Sequence, residues 1–239
     1  IPMAGLGSRF KNVGIDTPKP LIEINGKTLI EHSVESLGID GKFIFITRKY
    51  ENNEYNIKLS KILKKLSEDS IEIQLDKNQL GAADAALYAK EYIDNEDGLI
   101  ITNCDQRLDW DSNKFLKFIN ESDCDGAVVL FNSKEDKNSF AKLINNRVVE
   151  IAEKKVISEC ALMGLHYWKN GRDFVKSAEQ LLLEYKQRDL KECYVSETYY
   201  YLLNNKNILG FMLDKNEFHP LGTPEDLNTY AAKIKEYYT

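Results

Sequence analysis

The stretch Ile1-Pro2-Met3-Ala4-Gly5-Leu6-Gly7-Ser8-Arg9-Phe10, followed by Pro18-Lys19-Pro20-Leu21, decides how the chain is read. An apolar start runs into two glycines, a serine and an arginine, and after a short polar loop a lysine stands between two prolines. Gly5 and Gly7 can take backbone angles closed to other residues and let the main chain approach a ligand closely. Successive N–H groups in such a turn form a concavity that suits phosphate oxygens. Arg9 adds a fork of donors and Lys19 a compact point charge. Pro18 fixes the entry to Lys19, and Pro20 predicts an extended conformation for Lys19 itself. The stretch therefore predicts a phosphate-binding loop at the end of a buried strand.

Two better-known phosphate motifs are excluded by single residues. The dinucleotide fingerprint G-x-G-x-x-G needs a glycine at position 10, where Phe10 stands. Gly26-Lys27-Thr28 resembles the end of a P-loop, but Leu21 occupies the position of that motif's first glycine. Gly5-Leu6-Gly7-Ser8-Arg9 with Pro18-Lys19-Pro20-Leu21 instead resembles the signature of the sugar-1-phosphate nucleotidyltransferase family, G-x-G-(S/T)-R followed by P-K-P-(L/M). The resemblance implies an α/β, Rossmann-like fold of the GT-A-like nucleotidyltransferase type, with a mostly parallel central sheet and flanking helices. It also implies a nucleoside triphosphate substrate, with Ala4, Gly5, Gly7 and Ser8 against it and Arg9 and Lys19 as the catalytic cations.

The bulk properties fit such an enzyme. The 239 residues suit one large domain, expected over 1–239 with a nucleotide-binding half to about 125 and an acceptor-binding half from about 126. Net charge is −6, which argues against a nucleic-acid partner or an anionic membrane surface. Four cysteines lie scattered without C-x-x-C spacing and the three histidines form no metal pair, so reduced thiols and a cytoplasmic setting are expected. No apolar run predicts a membrane span. The chain begins without methionine, apparently inside its first strand, and a few missing residues are expected there.

Periodicity organises the rest. Apolar runs at 42–47, 71–75 and 99–102 read as buried strands, separated by helices predicted over 27–37, 56–66 and 80–92. Strands alternating with helices predict βαβ units, whose ligands sit at the carboxyl ends of the strands. The loop at 4–20, Gln79 and Asp105 all fall at those ends. In the second half, strands are predicted over 126–131, 160–168 and 208–213, with a hairpin of 139–144 and 148–151 around Asn145-Asn146. Helices are predicted at about 171–186 and 197–204. A last one opens at Thr223-Pro224-Glu225-Asp226, where threonine caps and proline takes the first helical position.

Several further residues gain a role from the resemblance. Asp105, at a strand end, takes the place of the family's Mg²⁺ aspartate, although Cys104 stands where glycine usually precedes it. Gln79-Leu80-Gly81-Ala82-Ala83 resembles the Q-x-L-G-T-A stretch that reads the base, which assigns Gln79 and Gly81 to the nucleobase, with Ala82 in place of the threonine. A glutamine amide can donate to and accept from a pyrimidine edge. Asp84 equally suits stabilisation of a helix start. Glu153-Lys154 resembles the E-K pair whose lysine meets the acceptor phosphate, and Gly164 the strand glycine that leaves room for the acceptor. Glu197, in Val195-Ser196-Glu197-Thr198, falls where relatives carry a short acidic motif facing the acceptor, with a helix cap at Ser196 as the alternative.

Many relatives carry a second metal-binding aspartate two residues before the G-T-P of the last helix; here Pro220 stands there. Glu217, His219, or Asp105 with phosphates and water remain the candidates. The resemblance implies CTP or UTP as the preferred donor. It implies as acceptor a phosphorylated small molecule, either a sugar 1-phosphate or a non-sugar phosphate such as phosphocholine or phosphoglutamine, in the supply of surface-polysaccharide or capsule precursors. A glycosyltransferase, suggested by the D-x-D-like Asn103-Cys104-Asp105, and a non-catalytic nucleotide-binding protein remain alternatives, and oligomeric state is left open.

Overall fold

The apolar strands assemble first around the N-terminal segment. A computed structural model describes residues 1–185, 187, 192–214 and 216–237. Met3 N donates to Ile46 O at 2.8 Å and Ile46 N to Ile1 O at 3.0 Å, a parallel bridge that sets the start of the chain beside the strand Ile44–Arg48. That strand pairs in parallel with Ile71–Leu75. Parallel neighbours need a crossover, and the helix Asn53–Leu66 supplies it, burying Leu59 and Leu63. The helix Leu29–Leu37 is bounded by local chemistry. Thr28 and Glu31 form a capping box at its start, and Gly38, left-handed at φ 61°, ends it.

A six-stranded sheet spans the molecule in the order Leu99–Ile101, Cys160–Trp168, Gly126–Asn132, Ile208–Met212, Arg147–Ala152, Phe140–Ile144. The α/β, Rossmann-like class stands, but the sheet is mixed. Within it only Gly126–Asn132 and Ile208–Met212 run parallel. Two features turn the second half antiparallel. Asn145 and Asn146 take positive φ (49° and 66°), which closes a tight hairpin. The long strand Cys160–Trp168 then pairs antiparallel on both sides, with Leu99–Ile101 and with Gly126–Asn132. Five consecutive buried residues, Gly126 to Leu130, mark the latter as the central strand.

Other elements differ from the pattern reading in instructive ways. The helix predicted from Lys27 begins at Leu29, because Asn25 (φ 51°) and Gly26 (φ 77°) turn a small hairpin of Glu23–Ile24 and Lys27–Thr28. The helix over 80–92 is two pieces, Ala82–Leu87 and Lys90–Ile93. The helix at 197–204 is a 3₁₀ helix, Val195–Tyr201. The helix at 171–186 is Gly171–Glu184, and Lys186 lies outside the described residues. An unpredicted helix, Ser112–Glu121, starts at an Asp111 cap that accepts from Asn113 N at 3.1 Å. The short strands Gln106–Leu108 and Phe218–Pro220 pair antiparallel.

The largest apolar cluster joins both halves, with Ala4, Ile46 and Leu75 packed in one core with Val128, Trp168, Phe174 and Tyr199. A smaller cluster sets Phe10 of the glycine loop against Leu221 and Tyr230, so the C-terminal helix Pro224–Tyr237 is anchored to that loop. Among the described residues no helix is long and apolar enough to cross a membrane.

Candidate active site

The glycine loop is shaped by where it may and may not carry side chains. Ala4 is buried at the strand end, and Gly5, Ser8 and Arg9 are exposed. Gly7 is left-handed (φ 65°) and leads into the short helix Ser8–Lys11, with Phe10 N donating to Gly7 O at 3.1 Å. A Cβ on Gly5 would meet nothing within 4 Å, so that peptide faces open space. Lys19 is not extended. Leu21 N donates to Pro18 O at 2.8 Å, closing a single 3₁₀ turn over Lys19–Leu21. Proline is tolerated at the start of a helical turn, where its missing N–H is no loss, and here that outweighs the bias toward extension before Pro20.

Lys19 forms an ion pair with Asp105. Burial acts to lower the lysine pKa, but the Asp105 charge beside it, together with the hydrogen bond to Asp105, more than offsets this, and the pKa is raised. Asp105 leaves the strand Leu99–Ile101 through a segment held from two sides. Ser33 Oγ donates to Asn103 O at 2.5 Å, and Leu221 N donates to Asp105 O at 2.9 Å. Cys104 sits in an apolar cluster with Met3, Leu21 and Phe45, and burial pushes its thiol up to about 12, so it is a neutral packing residue.

Two cavities meet at Asp105. The smaller, 520 Å³, is lined by the loop from Ala4 to Arg9, Lys19, Arg48, Gln79 and Gly81. The larger, 710 Å³, is lined by residues of the second half, including Lys137, Ser139, Glu153, Gly164 and Tyr194. Arg9, Asn103 and Asp105 line both. A cation and a carboxylate therefore stand at the junction between two pockets of small-molecule size.

The base-reading stretch has its own geometry. Gln79 lines the smaller cavity with its amide turned onto Lys77 O. Gly81, at φ 147°, opens the helix Ala82–Leu87. A Cβ there would stand 2.5 Å from Cys193 O and 2.6 Å from Cys193 N, so this glycine is required by a neighbouring backbone. The two segments are stitched by Cys193 N to Leu80 O (2.7 Å) and Ala83 N to Cys193 O (3.0 Å). Asp84 accepts from Leu80 N at 2.7 Å, the helix-start role.

On the other side, Gly164 lies in a register shift of the long strand at φ 96°, and a Cβ would collide with the Asn103 amide at 2.0 Å. Glu153 lies in the larger cavity and accepts from Ser139 Oγ and from Ser196 Oγ (3.0 Å). Lys154, at φ 51°, lies outside the residues lining that cavity; it bonds to the Tyr194 hydroxyl, with Nζ 4.4 Å from the ring centre. The Tyr194 hydroxyl donates to Glu192 at 2.6 Å, and Glu192 lines the smaller cavity. Glu197 does not face the cavity. It is buried and accepts from Tyr194 N at 3.3 Å, capping the 3₁₀ helix, while Ser196 is spent on Glu153.

The candidates for a second metal ligand separate as clearly. Pro220 pairs with Gln106 between strands. Glu217 accepts from Asp214 N at 2.8 Å within its own turn. His219 lies 2.9 Å from Asp109 Oδ2 and 3.1 Å from Lys233 Nζ; burial and Lys233 lower its pKa against the pull of Asp109. Asp105 is a hard oxygen donor at the mouth of a phosphate-sized loop, which fits Mg²⁺ completed by phosphate oxygens and water. Sequence reasoning missed Arg48, Tyr194 and Gly222 as site residues and noted Asn103 only within the D-x-D-like Asn103-Cys104-Asp105; Arg48 and Tyr194 belong to no local motif, and Gly222 offered a signal only as the glycine preceding Thr223-Pro224.

Comparison with known proteins agrees with this architecture. The sequence profile of the nucleotidyl transferase family matches residues 1–236. The bifunctional protein GlmU of Methanocaldococcus jannaschii is 24% identical over 228 residues, 94% of this chain and 51% of that protein, so the chain spans about half the length of this relative. The 2-C-methyl-D-erythritol 4-phosphate cytidylyltransferase of Thermosipho melanesiensis is 34% identical over 103 residues, 42% of this chain and 43% of that one. Among solved structures, a nucleoside-diphosphate-sugar pyrophosphorylase from Vibrio cholerae superposes with a TM-score of 0.80 at 23% identity, covering 97% of this chain and 98% of its own. A UDP-glucose pyrophosphorylase complexed with UDP-glucose gives 0.76 at 17% identity, covering 99% and 97%.

Proposed function

Since the chain belongs to the nucleotidyl transferase family, we propose that it transfers a nucleoside monophosphate from a nucleoside triphosphate to a phosphorylated small molecule. An acceptor phosphate oxygen attacks the α-phosphorus, the new P–O bond forms, and the bond to the bridging oxygen breaks as pyrophosphate leaves with the electron pair. The acceptor oxygen is already anionic, so positioning and charge neutralisation carry the reaction. The single observation that supports this reading most is the pair of cavities, 520 and 710 Å³, meeting at Arg9 and Asp105. In-line attack needs donor and acceptor on opposite sides of one phosphorus.

The backbone from Ala4 to Ser8 holds the triphosphate, and Arg9 with Lys19 neutralises it. Asp105 would hold Mg²⁺, which supplies charge stabilisation to phosphate oxygens. Gln79 reads the base, and CTP or UTP is the preferred donor, a preference supported by the partial likeness to a cytidylyltransferase. Gly81 acts one step removed, through the Cys193 backbone. Gly164 keeps the Asn103 wall of the acceptor pocket in place, and Lys154 reaches the acceptor phosphate by leaving Tyr194. Glu197 acts one step removed, holding the backbone of Tyr194, which lines the same pocket. One domain, 1–239, carries the whole site.

The test is pyrophosphate release with Mg²⁺, four nucleoside triphosphates crossed with sugar 1-phosphates, phosphocholine and other phosphate monoesters. Release with one pyrimidine nucleotide and one acceptor is expected. Silence across the panel together with hydrolysis or transfer from a nucleotide sugar would overturn the reading in favour of a glycosyltransferase.

A further inference from the structure

Five arginines lie among the described residues, and three of them are spent on the fold. Arg107 pairs with Asp109, Arg172 pairs with Glu96, and Arg147 donates to the carbonyls of Leu203 and Lys206. Arg9 and Arg48 make no ion pair or hydrogen bond among the described residues, and both line the 520 Å³ cavity. The carboxylates lining that cavity are engaged elsewhere, Asp105 with Lys19 and Glu192 with the Tyr194 hydroxyl. Arg48 is half-buried, and a guanidinium held partly out of water without a counter-charge lacks acceptors that a ligand can supply. Its backbone is fixed independently. It ends the strand Ile44–Arg48 opposite Leu75, and Lys49 N closes onto Leu75 O at 3.0 Å.

Resting on the nucleotidyl-transfer reading, we propose that Arg48 is a specificity-determining residue whose guanidinium reads the base of the donor nucleotide and selects cytosine over uracil. Position assigns it to the base rather than to the triphosphate. Arg9 and Asp105 line both cavities and so mark the reacting phosphorus, whereas Arg48 and Gln79 line the smaller cavity alone. The strand end that carries Arg48 is tied to the segment leading to Gln79, because Leu75 is its register partner and Asp76 pairs with Lys49 at 3.3 Å. Lys19, by contrast, sits against Asp105. Chemistry then fixes the choice of base. An amide such as that of Gln79 both donates and accepts, so it can turn to suit either pyrimidine. A guanidinium only donates, through a planar fork. Cytosine presents O2 and N3 as adjacent acceptors that match the fork. In uracil N3 carries a hydrogen, and the fork would meet a donor there.

CTP, UTP and GTP, each with Mg²⁺, are the probes, titrated calorimetrically into the full chain without acceptor. GTP is included because guanine O6 and N7 offer the fork a similar pair of acceptors. The parent is expected to bind CTP more tightly than UTP by about tenfold or more, the discrimination that a well-aligned bidentate pair supplies. Arg48→Met should weaken CTP by about that factor, change UTP little and bring the two affinities together. Arg48→Lys keeps the charge but loses the fork, and should lose the preference as well. Both variants should melt as the parent does, since Arg48 holds no other group in place. Lys49→Met removes a neighbouring exposed cation and should leave the CTP-to-UTP ratio unchanged; a shift there equal to that of Arg48→Met would trace the effect to net charge and overturn the assignment. A parent that binds UTP or GTP as tightly as CTP overturns it too. So does a parallel loss of CTP and UTP in Arg48→Met, the signature of a phosphate contact. Absence of any nucleoside triphosphate binding sinks the nucleotidyl-transfer reading itself, whereas binding with an unchanged ratio in Arg48→Met sinks the Arg48 assignment alone.

Discussion

At the scale of single residues, glycines of one motif do different work. Gly5 faces open space, whereas Gly81 is locked against the Cys193 backbone. Gly5→Ala should therefore leave thermal melting unchanged and raise the KM for the nucleoside triphosphate. Gly81→Ala should cost about 2–4 kcal/mol in urea unfolding, from positive φ and a backbone clash that nothing soft can absorb. Equal stability of the two variants would refute the distinction. In the proposed reaction Lys19 and Arg9 are the charges aimed at phosphate. Alanine at either should lower kcat/KM for pyrophosphate release by about a hundredfold or more, with secondary structure retained in circular dichroism. Normal turnover in both variants would remove them from the mechanism. The residue scale is also where reading by resemblance was least secure. Glu197 matches an acidic motif in position yet is buried and caps a helix, a fate no local pattern announces.

At the scale of elements, the helix Leu29–Leu37 places the strand end that carries Asp105 as well as filling space. Ser33 holds Asn103 O, and Ser36 Oγ accepts from Leu108 N at 3.0 Å, so the segment carrying Asp105 is hung on this helix at both ends. Its start depends on Thr28, whose hydroxyl accepts from Glu31 N while Glu31 accepts from Thr28 N at 2.9 Å. Thr28→Ala should destabilise the protein by about 1 kcal/mol in denaturant unfolding, and Thr28→Ser should restore most of it. Capping boxes, hairpin turns and apolar periodicity are properties of a few neighbouring residues, which is why most elements were legible in advance. The exceptions follow the same logic. The 3₁₀ helix Val195–Tyr201 and the broken segment at 82–93 take their form from contacts to each other and to the helix Gly171–Glu184, not from their own spacing.

At the scale of the whole molecule, three imidazoles are built in neutral. His166 packs against the stacked pair Trp168 and Tyr199, and burial lowers its pKa from 6.5 to about 3. The pKa values of His32 and His219 are lowered as well, first by burial. A histidine whose folded pKa is depressed contributes fully above its unfolded value and loses that contribution as pH falls toward the folded one. Stability should hence decline as pH drops from 6.5 to about 5, above the range where ordinary carboxylates protonate, with His166 supplying at most about 1.4 kcal/mol per pH unit. Urea unfolding across that interval reads the slope. His166→Phe keeps a stacked ring and should flatten it; an undiminished slope in the variant would exclude His166 as the cause.

The amino-acid sequence by itself determined the strand-loop signature from Ile1 to Leu21, the alternation of strands and helices, the hairpin at Asn145-Asn146 and the capped start of the last helix. Each rests on backbone freedom or apolar spacing within a few residues, which short-range physics reads directly. Only the tertiary structure decided that the second-half sheet runs mostly antiparallel and that Gly81 answers to Cys193. It alone brought Gly222 to Asp105. Those are contacts between residues about a hundred positions apart, set by how the sheet and the packed helices close around a common core, and no local pattern of side chains encodes such a distance.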